Sequence, residues 1–249
     1  MSYERFAYLY DELMQDAPYH QWAELVLKKL EDYGVKGRTL LDLACGTGEL
    51  SLRFAREGFQ VTGVDLSTDM LSVARSKAED AGFHLPFFEQ NMAELEGLGQ
   101  FDVIGVFCDS LNYLQTAEEV EKTFSKVYQH LKEDGLFIFD VHSIYKITQV
   151  FMNQTFTLNE DRLAYIWNSF PGEAPNSVEH ELSFFVLDES SSKYNRFDEI
   201  HFQRTFSVEQ YSRWLEHAGF KLLEVCADFE DASPSADSER IFFIAKRID

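Results

Sequence analysis

Two carboxylates and a run of small residues carry the first chemical signal in this chain. Asp42 lies at the end of the apolar run 40–43, Ala44, Gly46 and Gly48 follow at alternate positions, and Asp65 closes a second apolar run at 61–64. Asp65 lies seventeen positions after Gly48, room for one helix and one strand. In such a unit the small residues let backbone and ligand approach closely, and a carboxylate ending the second strand can accept two hydrogen bonds from a ribose diol. The pattern describes a nucleoside crevice. A lone Gly-x-Gly would not, because helix ends and turns also use glycine.

The ligand class follows from two further residues. A pyrophosphate calls for Gly-x-Gly-x-x-Gly, whose third glycine brings helix close to strand, and that position here is Ser51. Asp42 would repel a diphosphate but hold a cationic amino group. Asp42-x-Ala44-x-Gly46-x-Gly48 resembles the first motif of the class I S-adenosylmethionine (AdoMet)-dependent methyltransferases, with Ala44 replacing the first glycine. Alanine fits there if its φ is negative. Asp65-Leu66-Ser67 resembles that family's second motif, whose acid binds the ribose hydroxyls, with Met70 one turn on to flank adenine. Residues 87–92 resemble the strand end that recognises the adenine amino group, here through Asn91 and the backbone at Met92. An Asn carbonyl can accept from an exocyclic amine. Residues 101–108 and 131–141 resemble the fourth and fifth strands, with Cys108 and Asp109 closing the cofactor side.

The resemblance spans about residues 35–142, in order. It implies AdoMet as cofactor and a doubly wound, mostly parallel seven-stranded α/β sheet whose last strand is antiparallel. It also implies an in-line methyl transfer that asks for placement of a nucleophile and exclusion of water, with a base only where the acceptor must lose a proton. Candidates for that base follow strands four and five: Asp109, Asn112 and Tyr113 in one segment and His142 in the other, with His142 and Tyr113 preferred. Asp109-Ser110-x-Asn112-Tyr113 could equally cap a helix, and His142 could equally be structural. His180 and His201 are weaker candidates, and the seven histidines show no metal-binding spacing.

The elements that must position these residues fall into four sections. Residues 1–37 read as an N-terminal helical cap whose Tyr3, Phe6, Tyr10, Tyr19 and Trp22 lie over the crevice, with Tyr10, Tyr19 or Trp22 against the methionine end of the cofactor. Residues 38–142 alternate strand and helix, with helix starts at Ser67 and at the capping box Thr116-x-x-Glu119. Residues 143–206 change pattern. After a helical stretch at 144–151, segments 163–170, 178–187 and 194–206 alternate as strands between turns at 171–176 and 188–193, an antiparallel insertion. Residues 207–249 return to a helix capped by Ser207-x-x-Gln210 and a closing strand pair, 220–227 and 241–246. All four form one domain.

An insertion after the fifth strand sits at the carboxyl ends of the strands, where ligands bind in open α/β sheets, so it should wall the acceptor site. Glu199, His201 and Gln203 share one face of its last strand, with Ile200 and Phe202 on the other. Solvent is the favoured reading for that polar face, a pocket lining the alternative. Tyr165 and Trp167 share a face that reads first as core and second as acceptor contact.

Composition narrows the partners. The chain has 249 residues, 45% hydrophobic and 15% aromatic, enough for a sizeable core. With 22 Lys and Arg against 43 Asp and Glu, the net charge is −21, and no basic cluster is present to neutralise phosphates, so bare nucleic acid is not the expected acceptor. A neutral or cationic small molecule or peptide amine suits an acidic, aromatic wall better. No signal peptide or membrane span is legible, and three cysteines in or beside apolar runs read as reduced thiols, which together suggest the cytoplasm. The same motifs would also serve an AdoMet-binding regulatory or partner subunit without turnover, since they describe the cofactor and not the acceptor.

Overall fold

Two sheets divide the chain in the computed structural model, which describes residues 10, 11, 13, 14 and 17–248. The larger has seven strands in the order β10-β11-β5-β4-β1-β2-β3. Its members are β1 (Thr39–Leu43), β2 (Gln60–Asp65), β3 (Phe87–Glu89), β4 (Phe101–Val106), β5 (Leu131–His142), β10 (Phe220–Ala227) and β11 (Arg240–Arg247). β11 runs antiparallel to both β5 and β10, while the pairs among β1 to β5 are parallel. The strand order reverses between β1 and β4, which opens a crevice at their carboxyl ends.

The inner strands are largely apolar because helices cover both faces, and the acids Asp42 and Asp140 interrupt them near their carboxyl ends. Helices α1 (Tyr19–Asp32) and α2 (Glu49–Arg56) pack on one face, around Trp22, Val26, Phe54, Leu136 and Phe242. Helices α4 (Ala117–His130) and α5 (Val208–His217) cover the other, around Phe124, Phe139, Tyr211 and Phe243. α3 (Thr68–Asp80) seals the β2–β3 edge with Leu71, Ala74 and Ala78 against Phe87. The caps legible in sequence form. Ser67 accepts from Met70 N, and Thr116–Glu119 and Ser207–Gln210 each close a reciprocal capping box.

The second sheet is the insertion, and it has four antiparallel strands where three were expected: β6 (Gln154–Asn159), β7 (Leu163–Pro171), β8 (Ser177–Asp188) and β9 (Lys193–Arg204). β6 escapes sequence reading because it is a short, mostly polar edge strand entered directly from the stretch before it. That stretch is a π-helix, Lys146–Phe151. Its Ile147 and Phe151 seat the sheet by packing on Val178.

The polar face of β9 does not meet solvent as expected. Glu199 and Gln203 are each 5% exposed, whereas Ile200 and Phe202 are 56% and 51% exposed. The usual polarity is inverted because the Gln203 end of the inner face meets the polar rim of the crevice, through Gln203 on Asp109 and His201 on Tyr113. Among the described residues no helix is long and apolar enough to cross a membrane.

Candidate active site

The turn leaving β1 is built from left-handed residues. Gly46 and Gly48 have φ of +53° and +74°, and so does Ala44 at +61°, contrary to the negative φ that would have made alanine a mild replacement. Its Cβ costs about 1–2 kcal/mol there. Gly48 is doubly constrained, since a Cβ would stand 3.0 Å from that of Ala74 on α3. At Gly46 a Cβ would meet nothing within 4 Å, so the turn is open at that point.

Two carboxylates flank it without a cation. Asp42, 2% exposed, accepts from Ser51 Oγ at 2.5 Å. Burial, opposed by that hydrogen bond and assisted by the charge of Asp65, pushes its carboxyl up to about 6. Ser51, the residue in the third-glycine position, thus holds the acid of the same motif. Asp65 accepts from Gly46 N and Ser67 N, both at 2.8 Å, and burial raises it against those bonds. Neither acid forms a salt bridge among the described residues. An open turn beside two uncompensated carboxylates fits a ligand that brings a diol and its own positive charge, as AdoMet does.

The expected adenine side is more exposed. Leu66 is 67% exposed at the end of β2, and Met70 is half-buried in the first turn of α3. Asn91 does not leave its carbonyl free. Its Oδ1 accepts from Ala93 N at 2.9 Å and caps the short helix Met92–Glu94, which leaves the amide nitrogen.

Tyr3 and Phe6 lie outside the described residues. Tyr10 and Tyr19 come together near Cys108, Asp109 and Tyr113, and burial first, then these neighbours, raise the Tyr10 hydroxyl well above its usual range. Asp11 beside them accepts from Thr47 Oγ1 at 2.5 Å and pairs with Lys77 Nζ at 2.6 Å, tying this segment across the turn. Trp22 is 4% exposed and its indole N–H is committed to Asp140 Oδ1 at 2.8 Å, so it braces the wall.

After β4 the backbone turns through two consecutive left-handed residues, Cys108 (φ +55°) and Asp109 (φ +54°). Asp140 of β5, fully buried, clamps both by accepting from their amides at 2.9 Å, and it also accepts from Arg240 of β11. Asp109 does not cap the helical turn Ser110–Tyr113 that follows. Its carboxylate instead takes Arg240 at 3.0 Å, His142 Nε2 at 3.2 Å and Gln203 Nε2 at 2.9 Å. Burial alone would raise that carboxyl, but His142 and Arg240 outweigh it and hold it below the ordinary range.

The insertion completes the site from above. Trp167 Nε1 donates to His180 Nδ1 at 2.9 Å, and His180 Nε2 lies 3.3 Å from Gln203 Oε1. An indole N–H can only donate, so neutral His180 carries its proton on Nε2 and passes the chain on to Gln203 and Asp109. Burial lowers His180 to about 4, consistent with that neutral form. Tyr113, 47% exposed, meets His201 Nδ1 at 3.2 Å. Asn112 is a brace, donating to Arg204 O and accepting from His142 N. His142 itself is 4% exposed, with Nε2 on Asp109 and Nδ1 without a partner among the described residues. Tyr165 lies further along the inner face, in edge contact with Phe184.

Sequence reading passed over Asp140 and Arg240. Their signal was present: a lone acid in the apolar run of β5 and a lone arginine opening that of β11 must be paired to be buried.

A family model described as a methyltransferase domain matches residues 40–135. A relative from Geobacillus sp. (strain WCH70) that carries a methyltransferase name is 54% identical over 248 residues, 99% of this chain and 100% of the relative. The glycine/sarcosine N-methyltransferase of Aphanothece halophytica is 26% identical over 98% of this chain and 89% of its own length. A solved S-adenosylmethionine-dependent methyltransferase from Clostridium acetobutylicum ATCC 824 aligns with a TM-score of 0.90 at 33% identity over 100% of both chains. Fold and crevice together define a class I methyltransferase. The chain belongs to the S-adenosylmethionine-dependent methyltransferase family and is an enzyme of that class.

Proposed function

We propose that this enzyme binds AdoMet in the crevice between β1 and β4 and transfers its methyl group to a nitrogen or oxygen atom of a small molecule or peptide held beneath the β6–β9 sheet. The observation that carries this reading is the Gln203–Asp109 hydrogen bond, which joins the inner face of the insertion to the rim of the crevice. Asp65 holds the ribose hydroxyls and Asp42 faces the cationic methionine end, with Gly46 and Gly48 giving the backbone room. Leu66 and Met70 flank the adenine, and Asn91 and the Met92 backbone read its edge. Tyr10 and Tyr19 exclude water from the methionine end, next to Cys108 and Asp109.

When bound, AdoMet supplies an activated methyl on a sulfonium, so the protein's task is positioning, which can supply about 7–11 kcal/mol of the barrier. The acceptor lies against Tyr113, His201 and Gln203, with Trp167 and Tyr165 beyond. A proton lost by the acceptor passes to His201, which burial holds below its usual range and therefore neutral at pH 7. His201 is preferred to His142 for this role because His142 is 4% exposed with Nε2 held by Asp109, whereas His201 is half-buried beside Tyr113.

Thermal shift with AdoMet, S-adenosylhomocysteine and NAD separately tests the cofactor. AdoMet and S-adenosylhomocysteine should stabilise and NAD should not. Transfer of label from AdoMet into a fractionated cell extract then tests the acceptor class, with label expected in small molecules or peptides. Label recovered only in nucleic acid would overturn it.

A further inference from the structure

The inner face of β9 presents Gln203, His201 and Glu199 in succession, and the first two are spoken for by Asp109 and Tyr113. Glu199 is not. It is 5% exposed, stands directly opposite Leu182 of β8, and has Phe197 and His201 as same-face neighbours on its own strand, with Phe184 and His180 diagonal to it on β8. Its carboxylate has no hydrogen bond or ion pair among the described residues, and burial alone raises it.

Several other buried or half-buried acids have a partner within the fold. Asp42 has Ser51, Asp102 has Lys132 and Thr39, Asp109 has Arg240, and Asp140 has Arg240 and Trp22. The two histidines that neighbour Glu199 on this face, His201 and His180, are both held below their usual range by burial and so supply no positive charge at pH 7. The side chain is largely buried but its oxygens keep access to solvent, and a carboxylate so placed without a partner is free to take a cation from a ligand.

We propose that Glu199 anchors a positively charged group of the methyl acceptor, so that the acceptor is a small organic cation bearing an ammonium or guanidinium apart from the atom methylated. This rests on the reading of the inner face of the β6–β9 sheet as the acceptor site. Strand geometry sets the spacing. Glu199 lies one same-face step, about 7 Å, beyond His201 and about 13 Å beyond Gln203, so the cation and the methylated atom are separated by several bonds.

The test uses the full-length enzyme with labelled AdoMet and two matched probe series, the α,ω-diaminoalkanes from 1,3-diaminopropane to 1,6-diaminohexane and the amino alcohols of equal length. A diamine of one preferred length should bind the S-adenosylhomocysteine complex by calorimetry and accept label at least tenfold better than its amino alcohol. Glu199→Gln should collapse that ratio towards one while AdoMet affinity stays within twofold. Equal use of both series, a ratio that survives Glu199→Gln, or failure of every diamine to bind a protein that binds AdoMet would overturn the proposal. Failure to bind AdoMet at all would instead overturn the reading on which it rests.

Discussion

Gln203 Nε2 donates to Asp109 Oδ2 at 2.9 Å, and this bond couples a sheet inserted late in the chain to the strand ends that form the crevice. Both groups are screened from water, and a hydrogen bond to a charged partner is worth about 1.5–3 kcal/mol. Replacing His201 and Gln203 together by Ala should therefore lower kcat/KM for the acceptor by at least tenfold and leave AdoMet affinity within about twofold. Normal methylation by the double variant would show that this inner face plays no part in transfer.

The chain Trp167, His180, Gln203, Asp109 fixes a tautomer. Nitrogen-15 NMR should find His180 protonated on Nε2 alone and neutral down to about pH 5. Its folded value of about 4 lies below the ordinary value of 6.5, so the stability it contributes is complete above pH 6.5 and is lost as pH falls through 4. The full difference is on the order of 3 kcal/mol. Acid unfolding of His180→Phe should lose this component, and an Nδ1–H signal in the wild type would contradict the donor order.

AdoMet affinity should depend on pH through Asp42. A cationic ligand favours the ionised carboxylate, so with the free group at about 6 the affinity rises with pH to just above 6 and then levels. Calorimetry from pH 5 to 8 should show that rise in the wild type and its absence in Asp42→Asn.

Asp65→Ala should weaken AdoMet at least tenfold, by removing hydrogen bonds worth about 1.5–3 kcal/mol each. The same residue holds Gly46 N and Ser67 N, so the melting temperature of the ligand-free variant must be measured beside it. Calorimetric affinity equal to wild type would refute the ribose role.

Ala44→Gly should stabilise the enzyme. Relief of the left-handed alanine, about 1–2 kcal/mol, exceeds the chain entropy that glycine adds, about 0.4–1 kcal/mol. A melting temperature raised by a few degrees is the expected outcome. A fall would show that the turn draws its rigidity from that methyl group.

Local features are legible from the residues alone. Asp42, the glycine turn and Asp65 are legible because strand, turn and helix are contiguous, and caps such as Thr116–Glu119 involve residues one turn apart. Periodicity of apolar residues likewise gave the order of the core elements. The pairs that close over long separations, Asp109 with Arg240 and Gln203 and Asp140 with Trp22, emerge only when the chain folds. Which face of β9 turns inward was also decided there, because alternation says that Glu199 and Ile200 point to opposite sides but not which side meets water. That choice depends on what the other face packs against, and for this strand it is the polar rim of the crevice, formed by residues about ninety positions earlier in the chain.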